Sequence, residues 1–471
     1  MASEPIQMAA PADVYRQRRR QLATRLTRPF VIYAGHAPAR SYASNPHRFR
    51  AACSYLYFGG VPLEHAALLI EPASDGDAGC HLLRVPEGPD DALWLGESPD
   101  DRAIAAASGI DPTRIVDVDR LKSLLGSRTA GALVAPHAQT LAQARAVGVE
   151  DATDDEKLAV IEQRLIKDEH ELKAMRRAAE AAVAAFKSAA AATQPGAIEN
   201  DVQAALEGEF IRRSCVPSFS TICTVRGEVL HGAAASRPLA DGALLLLDAG
   251  AEEVTGYTSD ITRTWPVGGA WRGLQKALYE TVLRAQQAAV AACVPGRRYR
   301  EIHELAARTI CAGLVDAGLF RGNPDELADR GAYGLLFAHG VGHLLGLGVH
   351  DLEEFGDLAG YAAGRRRPAR FGDCFLRLDR DLAPGMTVTI EPGVYFVPAI
   401  WARQDMVAPF ADAINRDKID ELLASGFGGI RIEDDVHVRP ASAPGPEVLT
   451  AALPKSAEEI AALVSQTEPR P

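Results

Sequence analysis

The sequence predicts an α+β protein in two parts, and three observations predict it. Up to about Ala159, short apolar strands alternate with helical pieces, the pattern of a self-contained α/β unit. A charged stretch, RLIKDEHEL from Arg164 to Leu172, then leads into a long helix that stops at Gln194, Pro195 and Gly196. Beyond it, helices and strand pairs continue to the C-terminus. These readings divide the chain into residues 1–162 and 163–471.

Taken in order, residues 1–13 show no pattern and are expected to be disordered. Val14 to Leu26 reads as a surface helix carrying the basic cluster RQRRR, Arg16 to Arg20. Strands are expected at FVIYAG from Phe30, SYLYFGG at 54–60, HAALLIE at 65–71 and GCHLLRV at 79–85. Helical pieces fall at Asp100 to Ala107 and Val118 to Leu125. The long helix spans about Glu169 to Thr193 and is rich in Ala, Glu, Lys and Arg. Met386 to Phe396 and Gly428 to Val438 each read as one strand, and a last helix opens at Ser456 with Glu459 completing a capping box.

Composition excludes several classes. The chain has 471 residues and is 47% hydrophobic, enough for a substantial core. Its net charge of −12 argues against nucleic acid as a partner, because phosphate binding needs a basic footprint. The seven cysteines are scattered without a CxxC pair, which fits reduced thiols and a cytoplasmic setting. The N-terminus has no apolar core of the secretory kind. No stretch approaches the roughly 20 apolar residues that span a bilayer, so no membrane partner is expected.

The chemistry concentrates around Leu244 to Thr264, LLLLDAGAEEVTGYTSDITRT. Four leucines read as a buried strand that ends on Asp248, and a carboxylate there is costly unless something pairs with it. On the following strand, Thr258, Asp260, Thr262 and Thr264 share one face. Asp248 and Asp260 therefore meet across a hairpin with no basic residue between them, an arrangement that invites a metal ion. Phe337 to Asp351, FAHGVGHLLGLGVHD, adds His339, His343 and His350 among four glycines. Thr387, Thr389 and Glu391 share a strand face, as do Arg431 and Glu433. A single such glutamate is usually an ion-pair partner, and Arg431 is a candidate partner for Glu433. Four carboxylates and one imidazole without a cysteine motif favour Mn²⁺, with Co²⁺ or Zn²⁺ possible, over a structural zinc. Five ligands exceed what one ion needs and suit two ions, about 3.5 Å apart, sharing carboxylates and a hydroxide.

The motifs DAG…SDITRT, HGVGHLLGLGVHD, TIEPGVYF and GGIRIEDDV, with LHG at 230–232, resemble those of the pita-bread metallopeptidases: methionine aminopeptidase, aminopeptidase P and prolidase. The resemblance implies a pita-bread catalytic domain preceded by a smaller α/β domain. It implies Asp248, Asp260, His343, Glu391 and Glu433 as ligands of two divalent cations, with Asp260 and Glu433 bridging. Glu391 would also accept the nucleophile's proton. His231, His339 and His350 would lie around the metals or face substrate, Tyr395 would line the pocket, and Arg431 would orient Glu433 or reach substrate. A homodimer is a further implication.

Within that family two activities compete. The stretch FLRLDRDLAPGM and the long segment from Pro398 look like those of prolidases, and Arg377 falls where they place an arginine that grips the proline carboxylate. The alternative for Arg377 is a surface pair with Asp379 or Asp381. The reading is a dinuclear hydrolase of Xaa-Pro dipeptides, the alternative an aminopeptidase P acting on longer proline-containing peptides. A metal-free creatinase-like hydrolase and a binding module on an inactive scaffold both predict missing ligands, and none of the five is missing.

Overall fold

The computed structural model describes residues 6–465 except 43, 74–78, 87, 89 and 135–137. The chain divides between Leu165 and Ile166 into two compact units.

The first unit is built on a six-stranded sheet: β1 (Phe30–Tyr33), β2 (Ala67–Ile70), β3 (Cys80–Arg84), β4 (Ile115–Asp117), β5 (Gly131–Leu133) and β6 (Glu150–Asp151). Their order is β4-β3-β2-β1-β5-β6. β1 is central, pairing antiparallel with β2 and parallel with β5. Its four residues are all buried, as an apolar run without alternation requires of a strand covered on both faces. Val31, Tyr33, Leu69 and Leu83 pack there with Leu121 and Leu125 of the following helix.

Three expectations need correcting here. The stretch SYLYFGG is not a strand but a short helix, Cys53–Tyr57, ended by Gly59 at φ 83°. Ser54, Tyr55, Tyr57 and Phe58 are its buried positions, a helical spacing that the run of aromatics disguised as a strand. The first helix starts at Ala12, and Ala10 before it is already buried, so chain order begins earlier than expected. Of the disordered stretch anticipated at 1–13, residues 1–5 lie outside the described residues. Nor is the RQRRR cluster simply a solvated face. Arg18 donates to Tyr57 O at 3.0 Å and lies 4.1 Å over the Tyr57 ring. Arg19 donates to Phe58 O at 2.7 Å and Ser108 O at 2.9 Å.

The second unit opens on the helix Glu169–Ala192, whose Asp168 and Glu171 form a reciprocal capping box. Its strands are β7 (Val216–Pro217), β8 (Ile222–Thr224), β9 (Leu244–Ala249), β10 (Ala251–Glu252), β11 (Ile261–Pro266), β12 (Thr387–Ile390), β13 (Gly393–Tyr395), β14 (Gly429–Arg431), β15 (Asp434–His437) and β16 (Glu447–Val448). β8, β9 and β11 form one antiparallel sheet. The long helix covers it, with Phe186 edge-on to Trp265 of β11. Gly250 follows β9 because a Cβ there would meet Ser259 O at 1.8 Å.

The two segments expected as single strands are each interrupted. β12 pairs with β15 and β13 with β14 in one shared antiparallel register, so the two segments stay partners and their ladder is broken once in each. Glu391 and Glu433 sit in the two interruptions. No described helix is long and apolar enough to cross a membrane.

The arginine cluster supplies a test. Arg19→Ala strands two buried carbonyls and is expected to cost about 2–4 kcal/mol in urea unfolding of the first transition. Arg20→Ala, at an exposed position one residue on, is expected to stay within about 0.5 kcal/mol.

Candidate active site

Asp248 is the fifth residue of a strand buried throughout. Its register partner on β11 is Thr262, which puts Asp248 and Thr262 side by side and brings Asp260, two residues earlier, to the same face. Asp248 is 8% exposed and Asp260 4%.

The histidine segment has no regular structure of its own and is laced onto β12. Thr389 N donates to His343 O at 2.9 Å, Glu391 N to Val341 O at 2.8 Å, and His343 N to Thr389 Oγ1 at 3.1 Å. Gly342 makes this approach possible, since a Cβ would lie 2.2 Å from Thr389 O. His343 Nδ1 lies 2.9 Å from Leu344 O, which assigns the proton to Nδ1. Nε2 then turns a lone pair toward Asp260 Oδ2 at 3.5 Å and Glu391 Oε1 at 3.8 Å.

Asp260, His343 and Glu433 each place a donor atom within 4.8 Å of the others. Burial pushes the Asp260 carboxyl well above its ordinary value, and Glu433, Asp248, Asp435 and Glu391 push it further. Glu433 rises well above its usual range through burial, then through Glu391 and Asp248. Glu391 is pushed up to about 7 by burial, with Arg431 opposing and Asp248 adding. Burial, and then His350, hold His343 well below its ordinary value, so it is a neutral imidazole with a lone pair to give. Asp248 Oδ1 and Asp260 Oδ1 are buried without a hydrogen-bond partner. Carboxylates crowded out of water beside a neutral imidazole, two of them with an orphaned oxygen, are what divalent cations relieve. The donors are oxygens and one nitrogen, so these residues fit the expected ions.

Arg431 organises the cluster. Its Nη2 donates to Asp248 Oδ2, its Nε to Thr262 Oγ1 at 3.0 Å and its Nη1 to Tyr395 Oη at 3.0 Å. Thr262 Oγ1 passes the contact on, donating to Glu433 Oε2 at 2.7 Å. The sequence pairing of Arg431 with Glu433 is thus relayed through Thr262, and the direct partner is Asp248. His339 Nδ1 lies 2.7 Å from Gly340 O, so Tyr395 Oη donates to Nε2 at 2.8 Å. Burial and then Arg431 press the His339 imidazole down to about 3.

Sequence reading missed the residues beneath. The Asp435 carboxylate accepts from Asp260 N at 3.1 Å and 3.2 Å. The fully buried Arg263 donates to Glu433 O at 2.7 Å and Asp434 Oδ1 at 2.9 Å. The signal was present: Arg263 and the Asp434–Asp435 pair interrupt strands otherwise apolar or Thr-rich.

A cavity of about 810 Å³ opens over the cluster, and all eleven residues singled out from the sequence line it. They include His231, His339, His350, Arg377, Tyr395 and Arg431. His350 faces the cavity, where burial, then Arg377 and His231, lower its imidazole to about 4. Phe219, Leu230, Val397, Ile400, Phe371 and Phe375 supply apolar wall. Arg377 pairs with neither Asp379 nor Asp381. Those hold Arg298 and Arg365, and Arg377 donates to Glu353.

An α+β unit that gathers buried carboxylates and a neutral imidazole at the floor of a cavity has the donor set of a metallohydrolase. Residues 173–440 match the family described as Metallopeptidase family M24, and residues 15–134 match Aminopeptidase P, N-terminal domain. The chain belongs to metallopeptidase family M24, with the pita-bread catalytic fold behind a smaller N-terminal domain. It is 32% identical to Xaa-Pro aminopeptidase 1 of Streptomyces coelicolor, over 97% of this chain and 87% of that one. It is 28% identical to the Xaa-Pro dipeptidase of Homo sapiens, over 97% and 94%. Its structure resembles proline aminopeptidase P II from Yersinia pestis at TM-score 0.81 and 27% identity, covering 97% of this chain and all of that one.

The crowding has a measurable sign. Glu433→Gln removes one of the mutually repelling buried carboxylates. In EDTA it is expected to raise the melting temperature by about 2–4 °C per kcal/mol relieved. The stabilisation that excess Mn²⁺ gives the unaltered protein, about 2.7 kcal/mol at a hundredfold excess over Kd, is expected to be lost in the variant.

Proposed function

We propose that this enzyme hydrolyses the imide bond preceding proline and that its preferred substrates are Xaa-Pro dipeptides. Family membership supports a metal-dependent peptidase, and both named relatives carry the Xaa-Pro specificity in their names. One observation carries the dipeptide reading. Arg377 lines the catalytic cavity, and its charge acts on His339, His343, His350 and Glu391 alike. A guanidinium so placed suits the free carboxylate that a dipeptide presents one residue beyond the scissile bond.

Asp248, Asp260, His343, Glu391 and Glu433 would hold two divalent cations, Mn²⁺ by preference. Bound there, the ions would lower the pKa of the attacking water and polarise the scissile carbonyl. The protein's own groups do the rest. Glu391 accepts the proton of the attacking water and passes it to the departing proline nitrogen. His231 and His350, both on the cavity wall, donate to the oxygen that gains charge. Arg431 fixes Asp248 directly and Glu433 through Thr262, holding both against mutual repulsion. The tertiary amide has no N–H, so recognition falls to the carboxylate and to the apolar wall. A cytoplasmic setting accords with seven free cysteines, and a homodimer completes the reading.

The aminopeptidase P reading keeps the same chemistry and has its own support in the higher identity to the Streptomyces aminopeptidase. Comparing Ala-Pro with Ala-Pro-Ala, in Mn²⁺ and after chelation, separates the two. Metal-dependent cleavage is expected to favour the dipeptide. Arg377→Met is expected to lower kcat/KM for Ala-Pro by about 10- to 100-fold, the worth of a charged hydrogen bond. Preference for the tripeptide, unaffected by Arg377→Met, would establish the aminopeptidase instead.

A further inference from the structure

Among Arg298, Arg365, Arg367 and Arg377, the last is bonded least. Arg298 holds Asp379 through two nitrogens. Arg365 holds Asp381 and the carbonyl of Asp379. Arg367 holds Asp357 and the carbonyls of Cys374 and Leu376. Among the described residues Arg377 makes one hydrogen bond, from Nη1 to Glu353 Oε2. Arg377 and Glu353 both line the cavity.

We propose that Glu353 is a resident stand-in for the substrate carboxylate. It occupies Arg377 in the free enzyme, is displaced when a dipeptide binds, and so sets the affinity for dipeptides against longer peptides. The proposal rests on the dipeptide reading of Arg377 given above.

Two independent features support it. The first is how Glu353 is presented. Leu352 before it is buried with φ 65°, a left-handed conformation that a leucine adopts only where its surroundings impose it. Those surroundings are visible one residue earlier. Asp351 is clamped by Lys167 at 3.0 Å, with both side chains 1% exposed. A strained backbone held by a buried ion pair aims the next side chain at Arg377, and backbone strain concentrates at ligand clamps. The second feature is magnitude. Both partners of the Glu353–Arg377 pair are 37% exposed, whereas the Lys167–Asp351 pair is shut away from water. An exposed pair shifts an equilibrium by about fivefold at most, so a substrate carboxylate can replace it. A buried pair could not yield in that way.

Longer peptides carry their carboxylate away from the proline. They leave the Glu353–Arg377 pair closed, and Glu353 neither helps nor hinders them.

The test compares Ala-Pro with Ala-Pro-amide, which lacks the carboxylate, on the unaltered enzyme, Glu353→Gln and Arg377→Met, all loaded with Mn²⁺. Glu353→Gln is expected to lower KM for Ala-Pro by about three- to fivefold and the competitive Ki of free proline in parallel. KM for Ala-Pro-amide is expected to move by less than about twofold. Glu353→Asp, which withdraws the carboxylate by one methylene, is expected to fall between. An unchanged or raised KM for Ala-Pro in Glu353→Gln overturns the proposal, because Glu353 then merely positions Arg377. Equal gains for acid and amide overturn it too. If Arg377→Met leaves the preference for acid over amide intact, it is the dipeptide reading itself that fails.

Discussion

The catalytic unit depends on one electrostatic constraint: several carboxylates, nearly out of water, are held close enough to raise one another's pKa. Left alone, such a cluster would swell or protonate. Two buried arginines restrain it from behind. Arg431 anchors Asp248 and reaches Glu433 through Thr262, and Arg263 ties the backbone of Glu433 to Asp434. Neither satisfies Asp248 Oδ1 and Asp260 Oδ1, which are buried without a hydrogen-bond partner among the described residues. The fold thus supplies restraint without full compensation, and the remaining demand for positive charge is one that a divalent cation would meet.

The sheets are shaped to that demand. A regular strand would alternate Glu391 and Glu433 with apolar neighbours and leave each fixed in a hydrogen-bonded ladder. Here both glutamates fall in a gap of the ladder that their two segments share, and their amides donate elsewhere, Glu391 N to Val341 O and Glu433 N to Thr262 O. The histidine segment closes the third side because Gly342 lets its backbone touch Thr389. Four separate stretches of chain therefore converge on one point, and most of the convergence is fixed by main-chain hydrogen bonds.

How much of this was legible follows from locality. The carboxylates and His343 were readable because each interrupts an apolar strand or a glycine-rich run, and chemistry that violates a local pattern is visible one stretch at a time. The long capped helix was readable for the same reason: Asp168, Glu171 and the Gln-Pro-Gly stop are local signals. The helix at Cys53–Tyr57 was not, because aromatic residues suit a strand and only tertiary burial shows the helical face. The break between β14 and β15 left no local mark, since Ile-Arg-Ile-Glu alternates well in an unbroken strand. Partners of charged residues were least legible. Arg18 and Arg19 found carbonyls far along the chain, and Arg377 found Glu353 rather than the aspartates two and four residues away.

That last case decides how the cavity can recognise a substrate. Three arginines line it: Arg367, Arg377 and Arg431. Each nitrogen of Arg431 already donates to Thr262, Tyr395 or Asp248, and withdrawing any of them would release a carboxylate or break the contact to His339. Arg367 is committed to Asp357 and to two carbonyls. An arginine that holds the buried carboxylates in register cannot also move to meet a ligand, because each ligand would then disturb the cluster beneath it. Recognition and restraint must fall to different guanidinium groups. Of the three, Arg377 alone keeps nitrogens without a hydrogen bond among the described residues, and its one partner there, Glu353, is an exposed carboxylate.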